Sequence, residues 1–311
     1  MYLRPHISKS SIETFDFCQV KYFLQYVLGY RDKPIKSAII GIAVHEFAEL
    51  IALCTLNAKN NKLSTSSDYY FFSHETIEKL DIEAIYKYVW LSTLPKYPNL
   101  TLADEKLFIK LCNSLIKQFD IRNYNIVGIE KEFDIELKYD WAILENGSFF
   151  RVKGILDLII KHDNGIYEVI DYKTGKRHNF VTGKKLEYSD IQTDLQLSIY
   201  DLAFKQLYPG IKSSYTLFYI KNKEFVTVSF PEKNLKRIES VLKRYKERIQ
   251  KVNKLIPLSI DRASWKCQRL CGFSKSNEIS QSSTCDCEFV QSSIKNSKLD
   301  WVQDNLKKQE I

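Results

Sequence analysis

Glycine and proline are scarce in this chain, with 10 glycines and 7 prolines among 311 residues. That scarcity excludes collagen-like repeats and the low-complexity composition typical of disordered proteins. The sequence has no internal repeat. It also has no Gly-x-x-x-x-Gly-Lys-Ser/Thr phosphate-binding loop, so it carries no recognisable nucleotide-driven motor.

Long apolar segments are also few. Residues 1–6 include no apolar run of the length found in signal peptides. Residues 37–54 are apolar enough to resemble a membrane span, but they include His45, Glu46 and Glu49. We interpret this stretch as a buried helix with polar residues on one face. We therefore expect a cytoplasmic protein that does not associate with membranes.

The chain is nevertheless well supplied with core-forming residues and positive charge. Its apolar share is 44%, with 19 tyrosines and 18 phenylalanines, which is enough for one large or two modest domains. Lysine and arginine exceed aspartate and glutamate by 46 to 38, a net charge of +8. This balance weakly favours a polyanionic partner. Seven cysteines, an odd number, favour metal binding over disulfides in a reducing setting.

Hydrophobic periodicity changes from helical to strand-like near residue 125. Ser10 and Glu13 fit a capping box for a first helix ending at Gly29. Asn146-Gly147 predicts a hairpin turn between the first two strands. The further predicted helices are 39–56, 73–91, 102–122, 190–208, 233–254 and 298–308, and the strands are 126–139, 149–162, 166–173, 215–220 and 225–230.

Two neighbouring predicted strands each carry an acid within an apolar run. Gly154-Ile155-Leu156-Asp157 is followed fourteen residues later by Asp171-Tyr172-Lys173-Thr174-Gly175. Because side chains alternate along a strand, Asp171 and Lys173 share a face, and Asp157 on the adjoining strand can meet them. Two such carboxylates can hold a hard divalent cation, and a nearby ammonium can orient the attacking water. The alternative for Asp-x-Lys alone is a structural ion pair at a strand end.

These motifs resemble those of the PD-(D/E)xK nuclease superfamily, in its RecB-like branch. Gly41-Ile42-Ala43-Val44-His45 matches the Gly-x-x-x-His pattern of that branch, and Gln196-x-x-x-Tyr200 follows on the next helix. The four motifs stand in the order of the family, and the resemblance covers residues 10–287. It implies an α/β fold: a restriction-endonuclease-like core with a mixed sheet at 125–256, an N-terminal helical subdomain at 1–124 and a C-terminal cysteine-bearing segment at 257–311.

Carried over residue by residue, the resemblance implies catalytic roles for Asp157, Asp171 and Lys173. It implies that His45, the two aspartates and the backbone carbonyl of Tyr172 bind the metal, and that Lys173 assists the water. Mixed imidazole and carboxylate ligation suits manganese at least as well as magnesium. The alternative for His45 is a core histidine bonded to a carbonyl.

Several other residues are candidates for substrate binding. The resemblance implies that Gln196 and Tyr200, which share one helical face, contact the substrate backbone, and the alternative is ordinary helix packing. Lys184 and Lys185 follow the catalytic strand. Residues 233–254 contain nine lysines and arginines against two glutamates, which favours a phosphate-binding surface or, alternatively, a solvated helix face.

The cysteines divide into an early one, two in apolar helical runs and a C-terminal group. We expect Cys54 and Cys112 to be isolated buried thiols. The others resemble the four-iron (4Fe–4S) iron–sulfur staple of AddB-type nucleases and CRISPR-associated RecB-like exonucleases, which implies a cluster on Cys18, Cys267, Cys271 and Cys287, with Cys285 as the alternative fourth ligand. The spacings here, Cys-x-x-x-Cys and then Cys-x-Cys, differ from those common in the family. Zinc on four thiolates is therefore the alternative metal.

The resemblance as a whole implies metal-dependent hydrolysis of DNA phosphodiesters from an end, in recombination, repair or phage DNA metabolism. One alternative is processing of DNA ends in CRISPR adaptation. Another is a DNA-binding module that has lost its activity. DNA is the expected substrate, and any unwinding would come from a separate helicase or from a recombination or CRISPR protein.

Overall fold

The computed structural model describes residues 4–32, 34–60, 71, 79–179, 182–252 and 265–273. The chain forms two compact units. The first comprises Met1–Ile35, Asp134–Gly154 and Lys236–Ile311, and the second comprises Lys36–Phe133 and Ile155–Leu235. The division at 124/125 and 256/257 expected from the sequence stays a prediction.

Helices and strands alternate in the way the sequence indicates, and the mixed α/β class is confirmed. The helices are α1 (Lys9–Phe17), α2 (Gln19–Tyr22), α3 (Lys36–Lys59), α4 (Ile82–Thr93), α5 (Leu102–Gln118), α6 (Tyr188–Ile191), α7 (Leu195–Leu207), α8 (Lys233–Gln250) and α9 (Trp265–Leu270). The strands are β1 (His6–Ile7), β2 (Ile126–Glu136), β3 (Arg151–Lys161), β4 (Tyr167–Lys173), β5 (Ser213–Tyr219) and β6 (Glu224–Val228). The predicted helix at 298–308 and most of the region 72–78 lie outside the described residues.

The start of the first helix differs from the prediction. Ser8, not Ser10, is its N-cap: the Ser8 hydroxyl accepts from Ser11 N at 3.2 Å, and Ser8 N donates to the Ser11 hydroxyl at 2.9 Å. The chain is extended until Ser8 because β1 pairs in parallel with Arg151. The helix also ends early, since Cys18 is extended (φ −165°, ψ 119°) between α1 and α2.

A mixed sheet organises the second unit. Strand β3 runs antiparallel to β4, β4 is parallel to β5, β5 is antiparallel to β6, and β2 pairs with β3. Residues 156–160 and 169–172 are all buried. Both faces of these strands are therefore covered, which explains why their sequences read as continuous apolar runs rather than alternating ones.

Helix α3 is the central helix of the second unit. Its residues Val44, Phe47 and Ile51 are fully buried, and Phe47 packs edge-on against Phe108 of α5 at 6.4 Å between ring centroids. Within the described ranges, α3 is the one helix long and apolar enough to cross a membrane, and a core helix passes the same test. The buried helix expected over residues 37–54 is confirmed.

Two predicted helices are shorter than expected because local caps end or restart them. Helix α7 begins at Leu195, where the Asp194 carboxylate accepts from Leu197 N at 2.9 Å. Helix α5 ends at Gln118, and Asp120 then caps a separate 3-10 turn by accepting from Arg122 N. Acidic residues just before a helix satisfy its first free N–H groups, so they begin new elements rather than continue old ones.

Candidate active site

Asp157 of β3 and Asp171 of β4 lie opposite each other in the sheet. The β3–β4 register pairs Leu158 with Ile170, and one further residue brings Asp157 opposite Asp171. Opposite residues project to the same face, as does Lys173 two positions along β4. Lys173 Nζ lies 2.6 Å from Asp171 Oδ2. Both carboxylates are buried, and the structure brings together the three residues that strand alternation grouped.

A glycine in α3 determines how closely this helix approaches the end of β4. A Cβ atom on Gly41 would lie 3.0 Å from Thr174 Oγ1, closer than ordinary van der Waals contact. One helical turn further on, His45 Nε2 lies 2.9 Å from the Tyr172 carbonyl oxygen, and Nδ1 lies 3.2 Å from Asp157 Oδ2. The Gly-x-x-x-His spacing therefore has a steric reason: the missing side chain lets His45 reach the strand.

The contacts of His45 contain more acceptors than the ring can satisfy. The Tyr172 carbonyl oxygen and the ionised Asp157 carboxylate only accept, and a neutral imidazole has one N–H to donate. Tyr172 N donates to Asp157 Oδ2 at 3.1 Å and holds that carboxylate towards the ring. His45 remains 32% exposed, so the cluster is open to solvent. A cation among these atoms would satisfy the surplus acceptors.

Glu130 of β2 completes the cluster, and our reading of the sequence missed it. His45, Glu130 and Asp157 each place a ligand atom within 4.8 Å of the others, the one such trio in the part of the chain that the structure describes. Glu130 has a left-handed backbone, with φ of 42°. Buried positions along β2 change from even to odd numbers around it, from Ile126 to Phe133. That phase change marks a bulge, and bulges re-aim side chains beside functional sites.

The acids of this cluster lack enough positive charge around them. Burial, followed by the charge of Asp171, raises the pKa of Asp157 to about 7, although His45 opposes the shift. Burial and the charges of Asp157, Glu49 and Asp171 raise the pKa of Glu130 to about 8. Carboxylates in this state bind a divalent cation readily, because the cation relieves their mutual repulsion. The residues present therefore fit a metal.

Gln196 and Tyr200 of α7 contact the catalytic side chains directly. Gln196 Nε2 donates to Asp171 Oδ1 and, at 2.7 Å, to the Tyr200 hydroxyl. The Tyr200 hydroxyl donates to Asp171 Oδ1 at 3.2 Å. Lys173 Nζ donates to Gln196 Oε1 at 2.7 Å. Their four-residue spacing thus places both side chains on the helical face that holds Asp171.

Lys173 is a stable cation in this setting. Burial lowers its pKa, but the adjacent charge of Asp171 raises it more, and the net result is a pKa above the usual value. The ammonium is therefore held as a positive charge next to Asp171. Such a group can stabilise negative charge on a phosphate and orient water, but it is not a proton acceptor at neutral pH.

The remaining basic candidates are exposed. Lys184 and Lys185 are both accessible, and Lys185 Nζ pairs with Glu224 at 2.9 Å. Helix α8 is amphipathic, with a buried face formed by Ile238, Leu242, Tyr245 and Ile249. Its exposed cations are Lys233, Lys236, Lys243 and Arg244.

Three cysteines of the predicted cluster are buried in the first unit: Cys18, Cys267 and Cys271. Lys21 Nζ donates to the Leu270 carbonyl at 3.3 Å, which ties α2 to the end of α9. Burial, with a smaller contribution from Cys18, raises the pKa of Cys271 to about 12. Cys285 and Cys287 lie outside the described residues. Cys54 and Cys112 are buried in α3 and α5, as expected.

Comparison with known proteins agrees with this site. The family model of the PD-(D/E)XK nuclease superfamily matches residues 6–276, so the chain belongs to that superfamily. No curated protein sequence matches it. Among solved structures, a provisionally named exonuclease from Eubacterium rectale is 13% identical over 80% of this chain and 86% of that one, with a TM-score of 0.46. The protein SSO0001 is 17% identical over 80% of this chain and 89% of that one, with a TM-score of 0.31.

Membership defines the chemistry at a coarse level. Proteins of this superfamily are nucleases that hydrolyse phosphodiester bonds with divalent metal ions. DNA is the substrate class that the family implies. The His45–Glu130–Asp157 trio in the described structure has the donor types that such an ion requires.

Proposed function

We propose that this protein is a metal-dependent DNA exonuclease of the RecB-like branch. The observation that carries the proposal is the convergence of His45, Glu130 and Asp157 with the Tyr172 carbonyl, next to the Asp171–Lys173 pair. Imidazole, carboxylate and carbonyl donors at one solvent-open point suit manganese or magnesium.

We assign the metal to His45, Asp157, Asp171 and the Tyr172 carbonyl, with Glu130 as an additional ligand. When bound, the ion supplies Lewis-acid activation of water and charge stabilisation at the phosphate. Lys173 orients the water and balances charge on the phosphate oxygens, because it is held as a cation.

Gln196 and Tyr200 have a positioning role in this proposal. Both donate to Asp171 Oδ1, and Gln196 also accepts from Lys173. They hold the carboxylate and the ammonium in one geometry, which matters since small displacements of reacting groups cost large factors in rate. From this location they can also contact the backbone of the substrate.

End-directed cleavage and the biological setting rest on the sequence resemblance. We propose action on DNA ends in recombination, repair or phage DNA metabolism, in the cytoplasm and with a separate helicase or recombination protein. CRISPR adaptation is the alternative setting. Exposed cations on α8 and at Lys184 and Lys185 support sequence-independent binding to phosphates.

We further propose that Cys18, Cys267, Cys271 and Cys287, or Cys285 in place of Cys287, hold a four-iron cluster, with zinc as the alternative. Burial of the first three in one unit supports this proposal. So does the Lys21–Leu270 contact, which brings the elements that carry Cys18 and Cys271 together. Thiols with raised pKa values release their protons when a metal binds, so the site would be stable only when loaded.

The test of the enzymatic proposal is a DNA cleavage assay with manganese on the wild type and on Asp157→Ala, Asp171→Ala and Lys173→Ala. We expect the wild type to release nucleotides from ends and each variant to lose cleavage while it retains DNA binding, because binding depends on surface charge. Wild-type rates in any variant would refute the site assignment. Binding without cleavage by the wild type would indicate the inactive module instead.

A further inference from the structure

A short basic hairpin follows the catalytic strand β4. Its described residues are 176–179 and 182–186, and we call this segment the basic hairpin. Asn179 N donates to the Lys184 carbonyl at 2.7 Å, and Leu186 N donates to the Arg177 carbonyl at 3.2 Å. The described part contains four cations and no acid: Lys176, Arg177, Lys184 and Lys185.

One acid from a different strand holds both arms of the basic hairpin. Glu224 Oε2 accepts from Arg177 Nη1 at 3.1 Å, and Glu224 Oε1 accepts from Lys185 Nζ at 2.9 Å. Asn222 Oδ1 also accepts from Arg177 N at 3.1 Å. The chain between β5 and β6 therefore fixes the basic hairpin at two separate points.

The sheet register connects Glu224 to the candidate active site. Lys173 of β4 is opposite Tyr219 of β5, which is opposite Glu224 of β6. Residues opposite one another share a face, so Glu224 lies on the face that carries Lys173. Two strand spacings of about 4.8 Å separate them by about 10 Å. At roughly 3.4 Å of helix axis per phosphate, that distance is about three nucleotides along a strand.

The position of Glu224 is unfavourable for DNA binding on charge alone. An acid beside a basic segment weakens the attraction for phosphate, and exposed ion pairs add little stability. Lys176 and Lys184 form no ion pair within the described ranges and are exposed. Glu224 thus uses two cations to fix the segment that presents two others.

We propose that Glu224 is a positioning residue that fixes the basic hairpin, so that the hairpin binds the substrate phosphate about three nucleotides from the one being cleaved. This inference rests on the proposed nuclease function. It also commits to a sign: loss of the negative charge should weaken productive DNA binding, although simple electrostatics predicts the opposite.

The test compares Glu224→Gln with Glu232→Gln on long and short DNA. Glu232 is an exposed acid outside this contact, so its variant makes the same change in charge. We expect Glu224→Gln to raise KM by roughly three- to tenfold on a long substrate, with kcat nearly unchanged. On an oligonucleotide too short to reach the basic hairpin, it should match the wild type. Glu232→Gln should equal or slightly exceed the wild type on both.

A second variant protects the test against a folding defect. Lys176→Gln combined with Lys184→Gln leaves the Glu224 contacts in place and should give the same length-dependent rise in KM. Equal losses on long and short DNA, or a tighter KM in Glu224→Gln, would overturn the inference while the nuclease proposal stands. An inactive wild type under the same conditions would overturn both.

Discussion

Replacing Glu130 with glutamine should change the stability of the metal-free protein in a pH-dependent way. Burial and neighbouring carboxylates raise the pKa of Glu130 from 4.5 to about 8. Between these values the carboxyl is neutral in the folded protein but ionised in the unfolded chain. The folded state then binds more protons, so its stability falls as pH rises through this window and levels off above about pH 8.

The magnitude follows from the size of the shift. At about 1.4 kcal/mol per pKa unit, the full shift corresponds to roughly 5 kcal/mol. Glu130 is only partly buried, and screening by water reduces the expected cost to about 2 kcal/mol. Glu130→Gln cannot ionise and escapes this cost. It should therefore match the wild type near pH 5 and exceed it by about 2 kcal/mol near pH 9.

Urea unfolding in the presence of a chelator measures this difference. Glu132→Gln is the matched control, because Glu132 is exposed two residues further along β2. It should follow the wild type at both pH values. A Glu130→Gln difference that is the same at both pH values would refute the electrostatic reasoning. With manganese present the order should reverse, since the variant lacks one proposed ligand, and isothermal titration should show weaker binding.

Three further predictions concern other parts of the molecule. Gly41→Ala should leave thermal stability within about 1 kcal/mol, because better helix propensity offsets a tight contact, yet the displaced His45 should weaken manganese binding in a titration; unchanged affinity would contradict the steric reason for Gly-x-x-x-His. Neutralising the four exposed cations of α8 should lower the log–log salt slope of DNA binding by roughly 0.7–0.9 per contact, and an unchanged slope would make α8 a solvated face. Cys18→Ser should remove about four irons per chain from protein purified without oxygen, whereas Cys112→Ser should not; a colourless wild type with one zinc would favour the alternative metal.

Much of the catalytic grouping could be predicted from local sequence. Asp157, Asp171 and Lys173 lie on strands whose alternation is a property of the extended backbone, so their shared face follows from residue number alone. Gln196 and Tyr200 share a face of α7 for the same kind of reason. Gly41 and His45 could be linked by spacing, but the contact between Gly41 and Thr174 could not be predicted.

Glu130 shows where such reasoning stops. Its side chain reaches the cluster through a bulge with a left-handed backbone, and in a regular strand the alternation would have assigned it by parity. Only the shift of buried positions from Ile126 to Phe133 signals the irregularity in the sequence. The N-cap at Ser8 was missed for a related reason, because pairing of β1 with Arg151 decides where the chain can turn helical.

The sequence by itself determined which residues carry the chemistry, since periodic strands and helices impose their faces locally and the motif order identifies the family. Tertiary structure decided how those residues are held. It set the second contact of His45, the link from Gln196 to both Asp171 and Lys173, and the ion pairs of Glu224 with the basic hairpin. Such contacts join positions up to about a hundred residues apart in the chain, and their geometry depends on packing, which no local pattern encodes.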